Sequence, residues 1–194
     1  MIKSSKEKGK ASKARLLTLA ASEFSRRGYH DTKISDIVAA AGLTQPAFYL
    51  YFSSKEAIFI ELTQAFHNRM RTLIENSLLD SAMEQENVFE HIKTKLKMFF
   101  EFLAMEPDLT RIGLFVNPNR AQIRADMVRM VRDNLVKEQQ SGYFRSDLDM
   151  EFVAECLVSM IEQLTETRLL PGLSSAGHLA TQIVDLLLNG MIAE

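Results

Sequence analysis

The stretch Ile34–Phe52, ISDIVAAAGLTQPAFYLYF, leaves this chain few ways to fold. Ile34, Ile37, Val38 and Ala41 recur at three- and four-residue spacing, so a short helix buries one face. Gly42 follows at once, where a left-handed residue ends a helix and turns the chain. Thr44 stands where an N-cap is wanted, and Pro46 falls in the next first turn, where its missing N–H has no partner to lose. Pro46 also disfavours α geometry at Gln45, which predicts a helix starting at Pro46 itself. Ala47, Phe48, Tyr49, Tyr51 and Phe52 complete this second helix, about two turns long. Two short helices around a glycine turn make a helix-turn-helix, the unit that lays its second helix in the DNA major groove.

The flanking sequence builds on that core. Met1–Lys10 is polar, Lys-rich and aperiodic, which predicts a disordered arm. A helix over residues 11–27 carries Leu16, Leu17, Ala20, Ala21 and Phe24 on one stripe and stops at Gly28, completing a three-helix head. Ser53 and Glu56 have the spacing of a capping box, opening a long helix to about Leu79 with no flexible linker before it. The boundary is therefore read as a DNA-binding domain over 1–52 and a helical domain over 53–194. After a polar loop at 80–87, helices are predicted over 88–105, 107–116, 120–140, 149–170 and 174–191. Pro107, Asn117-Pro118, Gly142 and Pro171-Gly172 punctuate them. No segment alternates like a strand. The fold class is all-α, with about nine helices.

The last two helices have apolar stripes wider than one packing partner requires. Two copies of this hairpin would bury the surplus in a four-helix bundle. Its interface is read as Phe152, Leu157, Ile161, Leu164, Leu179, Ile183, Leu186 and Leu187.

Charge divides the chain in the same place. Residues 1–55 carry ten Lys/Arg against four Asp/Glu, and the rest carries thirteen against twenty-one, so only the head suits a polyanion. With 46% hydrophobic residues the chain can bury a sizeable core. A lone cysteine, Cys156, excludes an internal disulfide and suits a reducing cytoplasm; on an apolar helix face it reads as buried filler. There is no apolar run long enough for a signal peptide or a membrane span.

Over residues 16–56 the chain resembles the TetR (tetracycline-repressor-like) family of bacterial transcriptional regulators. The matching residues are Leu16, Ala20, Phe24, Gly28, Tyr29, Thr32, Ile34, Asp36 and Ile37, then Ala41-Gly42-Leu43-Thr44, Phe48-Tyr49, Tyr51-Phe52 and Ser54-Lys55-Glu56. Lys33 and Pro46 depart from the residues usual in the family, and both touch the DNA face. The resemblance implies a homodimer that pairs through its last two helices and encloses an effector pocket among its middle ones.

Gln45, Pro46 and Ala47 head the second helix of the motif, where base edges are reached. Gln pairs with adenine, and Pro or Ala touches a thymine methyl. The resemblance implies phosphate contacts for Thr32, Lys33, Thr44, Tyr49, Tyr51 and Lys55, which set register rather than sequence. Pocket candidates are Phe66, Met70, Phe99, Phe102, Phe115, Met127, Met130 and Met160, each of which could equally be packed core. Arginines 111, 120, 124, 129 and 132 would suit the anionic end of a long apolar ligand such as a fatty acyl thioester, or simply solvated surface. His30, His67, His91 and His178 share no ligand spacing, and there is no phosphate loop or nucleophile elbow. No catalytic residue, metal or cofactor is expected, so an enzyme is the poorest reading. The reading is a cytoplasmic, homodimeric repressor that binds double-stranded DNA at a palindromic operator and is released by an apolar small molecule. The alternative keeps the fold and drops the ligand, giving a DNA-associated protein of chromosome organisation or cell division.

Overall fold

The computed structural model describes residues 5–80 and 84–191. Among these are nine α-helices and no strand: α1 (Ser5–Asp31), α2 (Ile34–Ala41), α3 (Gln45–Tyr49), α4 (Lys55–Glu75), α5 (Gln85–Met105), α6 (Pro107–Thr110), α7 (Arg120–Gln140), α8 (Met150–Leu164) and α9 (Ala176–Asn189). Wider π-helical turns prolong α6 over Arg111–Phe115 and α8 over Thr165–Leu169. The chain forms two compact units. One takes the residues up to His67 together with Asp108–Arg120, and the other takes Asn68–Pro107 and the residues from Ala121 onward.

The first unit has a closed core. Leu16, Ala20 and Phe24 of α1 meet Ile37 and Ala41 of α2 and Phe48 of α3, all without exposed surface. Gly28 adopts φ 81° and ψ 165°, a combination closed to residues with a Cβ, and there α1 breaks. Tyr29 then turns back, its ring 5.9 Å from Phe24 and 4.7 Å from Phe59. At the end of α2, Gly42 has φ 62°; its N–H donates to the Ala39 carbonyl and that of Leu43 to the Val38 carbonyl, a paired closure of the helix end. Asp36 accepts from the Lys33 N–H at 3.0 Å, closing the other end.

Several expectations change here. Residues 5–10 continue α1 rather than forming an arm, because Lys and Glu extend a turn already nucleated at Ala11; residues 1–4 lie outside the described residues. The first unit also reaches past residue 52, since Ile58, Phe59 and Leu62 of α4 and Ile112 join its core. The cap of α4 is Ser54, whose hydroxyl accepts from the Ala57 N–H at 3.0 Å, not Ser53 paired with Glu56.

In the second unit α5 packs along α9 and against the Thr165–Leu169 turn. Asp149 caps α8 by accepting from the Glu151 N–H, and Ser175 caps α9 by accepting from the His178 N–H. Phe100, Leu103, Ala154, Val158, Leu179 and Ala180 are fully buried. Asn134 of α7 donates to the Ile74 carbonyl at 2.7 Å, and Glu138 accepts from the Leu79 N–H at 3.0 Å. These two side chains bind the backbone where α4 ends.

Candidate functional site

α3 is pinned on one side and bare on the other. Phe48 is 0% exposed and Phe52 stands beside it, their rings 5.7 Å apart, so the inner face is fixed in the core. Thr44 is extended at φ −102° and ψ 159°, and the Phe48 N–H donates to its carbonyl at 3.2 Å. The helix therefore starts at Gln45, one residue before the expected start at Pro46: anchoring of Phe48 overrides the local preference that proline imposes. It ends at Tyr49, because the Tyr51 and Phe52 N–H groups both turn back to the Phe48 carbonyl.

The outer face carries Thr44, Gln45 and Pro46, all exposed, with Lys33 exposed just before α2 and Ala47 half-buried. Tyr49 is 56% exposed and Leu50 79% exposed. The Thr44 hydroxyl, the Gln45 amide and the Tyr49 hydroxyl have no hydrogen-bond partner among the described residues, so a ligand can take all three. Leu50 is absent from the residues expected at this face. Its signal was available: it falls off the buried stripe of Phe48 and Phe52, yet is large and apolar. Tyr51 is half-buried against the core and offers less of its surface.

Two expected phosphate contacts have other work. Thr32 is fully buried, and its hydroxyl donates to the Gly28 carbonyl at 2.7 Å with the Glu23 carbonyl at 3.2 Å. The Lys55 ammonium lies 2.7, 3.2 and 2.9 Å from the carbonyls of Tyr29, His30 and Thr32, and 4.5 Å from the centre of the Tyr29 ring. An ammonium has three donors, and all three are occupied. Lys55 thus ties α4 to the end of α1 and positions the motif. Arg27 does similar work, reaching Glu23 at 2.8 Å and Asp36 at 3.5 Å.

Within the second unit lies a cavity of about 640 Å³, inside the usual range for small-molecule sites. Its walls are Leu73 and Ile74 of α4, Val88, Ile92 and Phe99 of α5, Met127, Val131 and Leu135 of α7, Val158 and Ile161 of α8, and Ile183 and Val184 of α9. Of the expected pocket residues, Phe99 and Met127 line it. Phe66 is buried elsewhere, in the first unit, against Gly113. Phe115 lies under the Arg120 guanidinium and Phe102 under that of Arg69. Met70 is buried, and Met130 and Met160 half-buried, without reaching the cavity. Helical periodicity marks a residue as inward but not which inward residues face a void.

The five arginines do not form an anion clamp. Arg124 pairs with Glu162 and Ser159, Arg129 with Asp126, and Arg132 with Asp133 and Glu151, and none of the five lines the cavity. The cavity's polar residues are instead Ser77, Gln85, Lys95, Asn134, Glu138, Tyr143, Arg145 and Asn189. Burial pushes the Glu138 carboxyl up to about 6, against the opposing pull of its hydrogen bond from Leu79.

The expected interface residues divide. Phe152 is 64% exposed, and Leu186 and Leu187 are also exposed; Leu157 and Leu164 are half-buried. Ile161, Leu179 and Ile183 are buried inside the protomer, and α5 already packs along α9. Cys156 is half-buried rather than buried, since it lies one turn from Phe152 on the outward stripe. Among the described residues no cluster of His, Cys, Asp and Glu could hold a metal ion, and no helix is long and apolar enough to cross a membrane.

Comparison with known proteins bears on the whole chain. Residues 16–62 match the family described as bacterial regulatory proteins, tetR family. The HTH-type transcriptional regulator YdgC of Bacillus subtilis (strain 168) is 51% identical over 187 residues, 96% of each chain. The fatty acid metabolism regulator protein of the same organism is 23% identical, covering 91% of this chain and 93% of its own length. Among solved structures, the TetR family transcriptional regulator PfmR from Thermus thermophilus superposes with a TM-score of 0.73 at 23% identity, over 92% of this chain and 100% of that one.

Proposed function

The chain belongs to the TetR family of bacterial regulatory proteins, and from that premise we propose that it is a homodimeric repressor, released from a palindromic operator by an apolar small molecule. The observation that carries the DNA-binding half is the division of α3. Phe48 is sealed in the core, while the polar groups of Thr44, Gln45 and Tyr49 stand exposed without hydrogen-bond partners among the described residues. Gln45 reads base edges; Thr44, Tyr49 and Lys33 hold phosphates. Phe152, Leu186 and Leu187 supply the apolar face on which a second copy pairs. Paired heads then reach half-sites about 34–36 Å apart. The protein acts in the cytoplasm, where a bacterial chromosome lies.

The effector half rests on the cavity in the second unit. An apolar lining of this size selects a lipid-like molecule, a reading consistent with the name of the fatty acid metabolism regulator among its relatives. Release follows if the ligand prefers a geometry of the dimer that the operator does not, by no more than that preference. A ligand-independent role in chromosome organisation would leave the cavity without a purpose.

The test is fluorescence anisotropy with labelled operator DNA selected from genomic fragments. Gln45→Ala is expected to cost about 1–3 kcal/mol and to relax preference at one base pair. Tyr49→Phe is expected to weaken all sequences alike, with melting temperature unchanged in both variants. Equal affinity of wild type and Gln45→Ala for operator and scrambled DNA would end the assignment of α3. Saturating lipids, fatty acyl-CoA among them, should release the complex; retention under every lipid would end the effector reading.

A further inference from the structure

The cavity has an apolar body and one polar end, and the polar end has a definite chemistry. Ser77, Asn134, Glu138 and Tyr143 lie together there. Asn134 bonds the Ile74 carbonyl and lies 3.4 Å from the Ser77 hydroxyl. Glu138 sits one turn further along α7, and the Tyr143 N–H donates to its carbonyl at 3.0 Å. The Tyr143 hydroxyl donates to the Asp80 carbonyl at 2.7 Å. Asn134 and Tyr143 thus already direct donors into the protein's own backbone.

Glu138 does not have its acceptors filled. It is 7% exposed, and its side chain takes one hydrogen bond among the described residues, from the Leu79 N–H to Oε1. A carboxylate offers about four acceptor positions on two oxygens, and those that the Leu79 bond does not fill stay open to a donor in the cavity that Glu138 lines. Ionised groups elsewhere in the lining do not fill them. Arg145 bonds Asp147 through two nitrogens, which holds that carboxyl below its ordinary range. Lys95, on α5, makes no ion pair with Glu138.

We propose that Glu138 is the head-group site of this cavity, and that the ligand is an apolar molecule whose polar end donates a hydrogen bond, an alcohol, amide or amine rather than a free carboxylate. The inference rests on the cavity being a ligand site and narrows which lipid-like molecules enter it. The apolar tail occupies the space lined by Ile92, Phe99, Val131 and Val158. A donor at the head completes the shell of Glu138. A carboxylate at the same place sets two anions against each other in a site that screens them poorly. The rival arrangement would seat a carboxylate on Lys95.

Three ligands with one tail separate these arrangements: decylamine, 1-decanol and decanoate, titrated calorimetrically into the full-length protein at pH 7.5. Decylamine and decanol are expected to bind at least about tenfold more tightly than decanoate. In Glu138→Gln the amine should lose about tenfold, and decanoate should approach decanol. Decanoate binding as well as the other two, no binding by any of them, or a Glu138→Gln variant with the wild-type ranking would each overturn the proposal. A Lys95→Met variant that alone abolishes decanoate binding, with decanoate the tightest in wild type, would assign the head-group site to Lys95 instead. DNA release is scored separately. The expected ranking without any release would defeat the effector reading and leave this site standing, and release by a carboxylate lipid alone would do the reverse.

Discussion

Around Phe24 the side chains close on one another; around Val131 they leave about 640 Å³ empty. Both places are built from amphipathic helices rich in Leu, Ile, Val and Phe. In the first unit α1, the short α2 and α3, and the start of α4 converge on aromatic rings, with Phe24 edge-on to Phe59 at 5.1 Å. In the second, α5, α7, α8 and α9 present mostly aliphatic side chains around a space that they do not fill. Apolar periodicity decides which face a helix buries, while convergence of helices decides whether the buried faces meet. The first arrangement holds α3 in one orientation, and the second leaves a cavity within the unit.

The contrast can be broken most sharply at Phe24. Phe24→Ala should cost about 3–5 kcal/mol, read as a shift in chemical denaturation, because a closed core cannot collapse around the lost ring. A cost near 1 kcal/mol would show a looser head than described. Next comes Gly113, where a Cβ would fall 2.5 Å from two carbons of the buried Phe66 ring. Gly113→Ala should destabilise by about 1–3 kcal/mol through overpacking, although alanine is the better helix former. A stabilised variant would mean that Phe66 has room to move.

The cavity unit should answer differently. Glu138 has its pKa raised from 4.5 to about 6 by burial, so the folded state favours the protonated acid. Wild-type stability is therefore lost as pH rises through that interval, by up to about 2 kcal/mol in the ligand-free protein. Glu138→Gln lacks this loss: it should melt higher than wild type at pH 7.5, with the gap closing below pH 4.5. A gap that does not depend on pH would mean that Glu138 is better solvated than its position suggests. The smallest effect is expected at Val131. Val131→Leu should change stability by no more than about 0.5 kcal/mol, since the added methylene enters open space. A penalty equal to that of Gly113→Ala would erase the distinction between the two units.

Much of the head is legible from neighbouring residues alone. Gly42, Phe48 and the Leu16–Phe24 stripe specify a helix-turn-helix because turn chemistry and periodicity are local properties. The helix boundaries of α7 follow from Asn117-Pro118 and Gly142 in the same way. Lys55 and Thr32 are less legible. A lysine after two serines carries no sign that three carbonyls some 25 residues earlier will surround its ammonium. The pocket is the least legible part. Phe66 and Phe99 occupy equivalent places in their helical patterns, yet one packs on a glycine and the other faces a void.

By itself, then, the sequence determined the class of fold, the helix-turn-helix, and the family to which the chain belongs. These depend on interactions between residues a few positions apart, which a pattern records. Only the tertiary structure decided that Lys55 braces the motif, that the cavity is lined by Val131 and Val158 rather than by most of the methionines, and that Glu138 stands short of donors within it. Each of these depends on which distant side chains arrive at one point, and no local pattern encodes that.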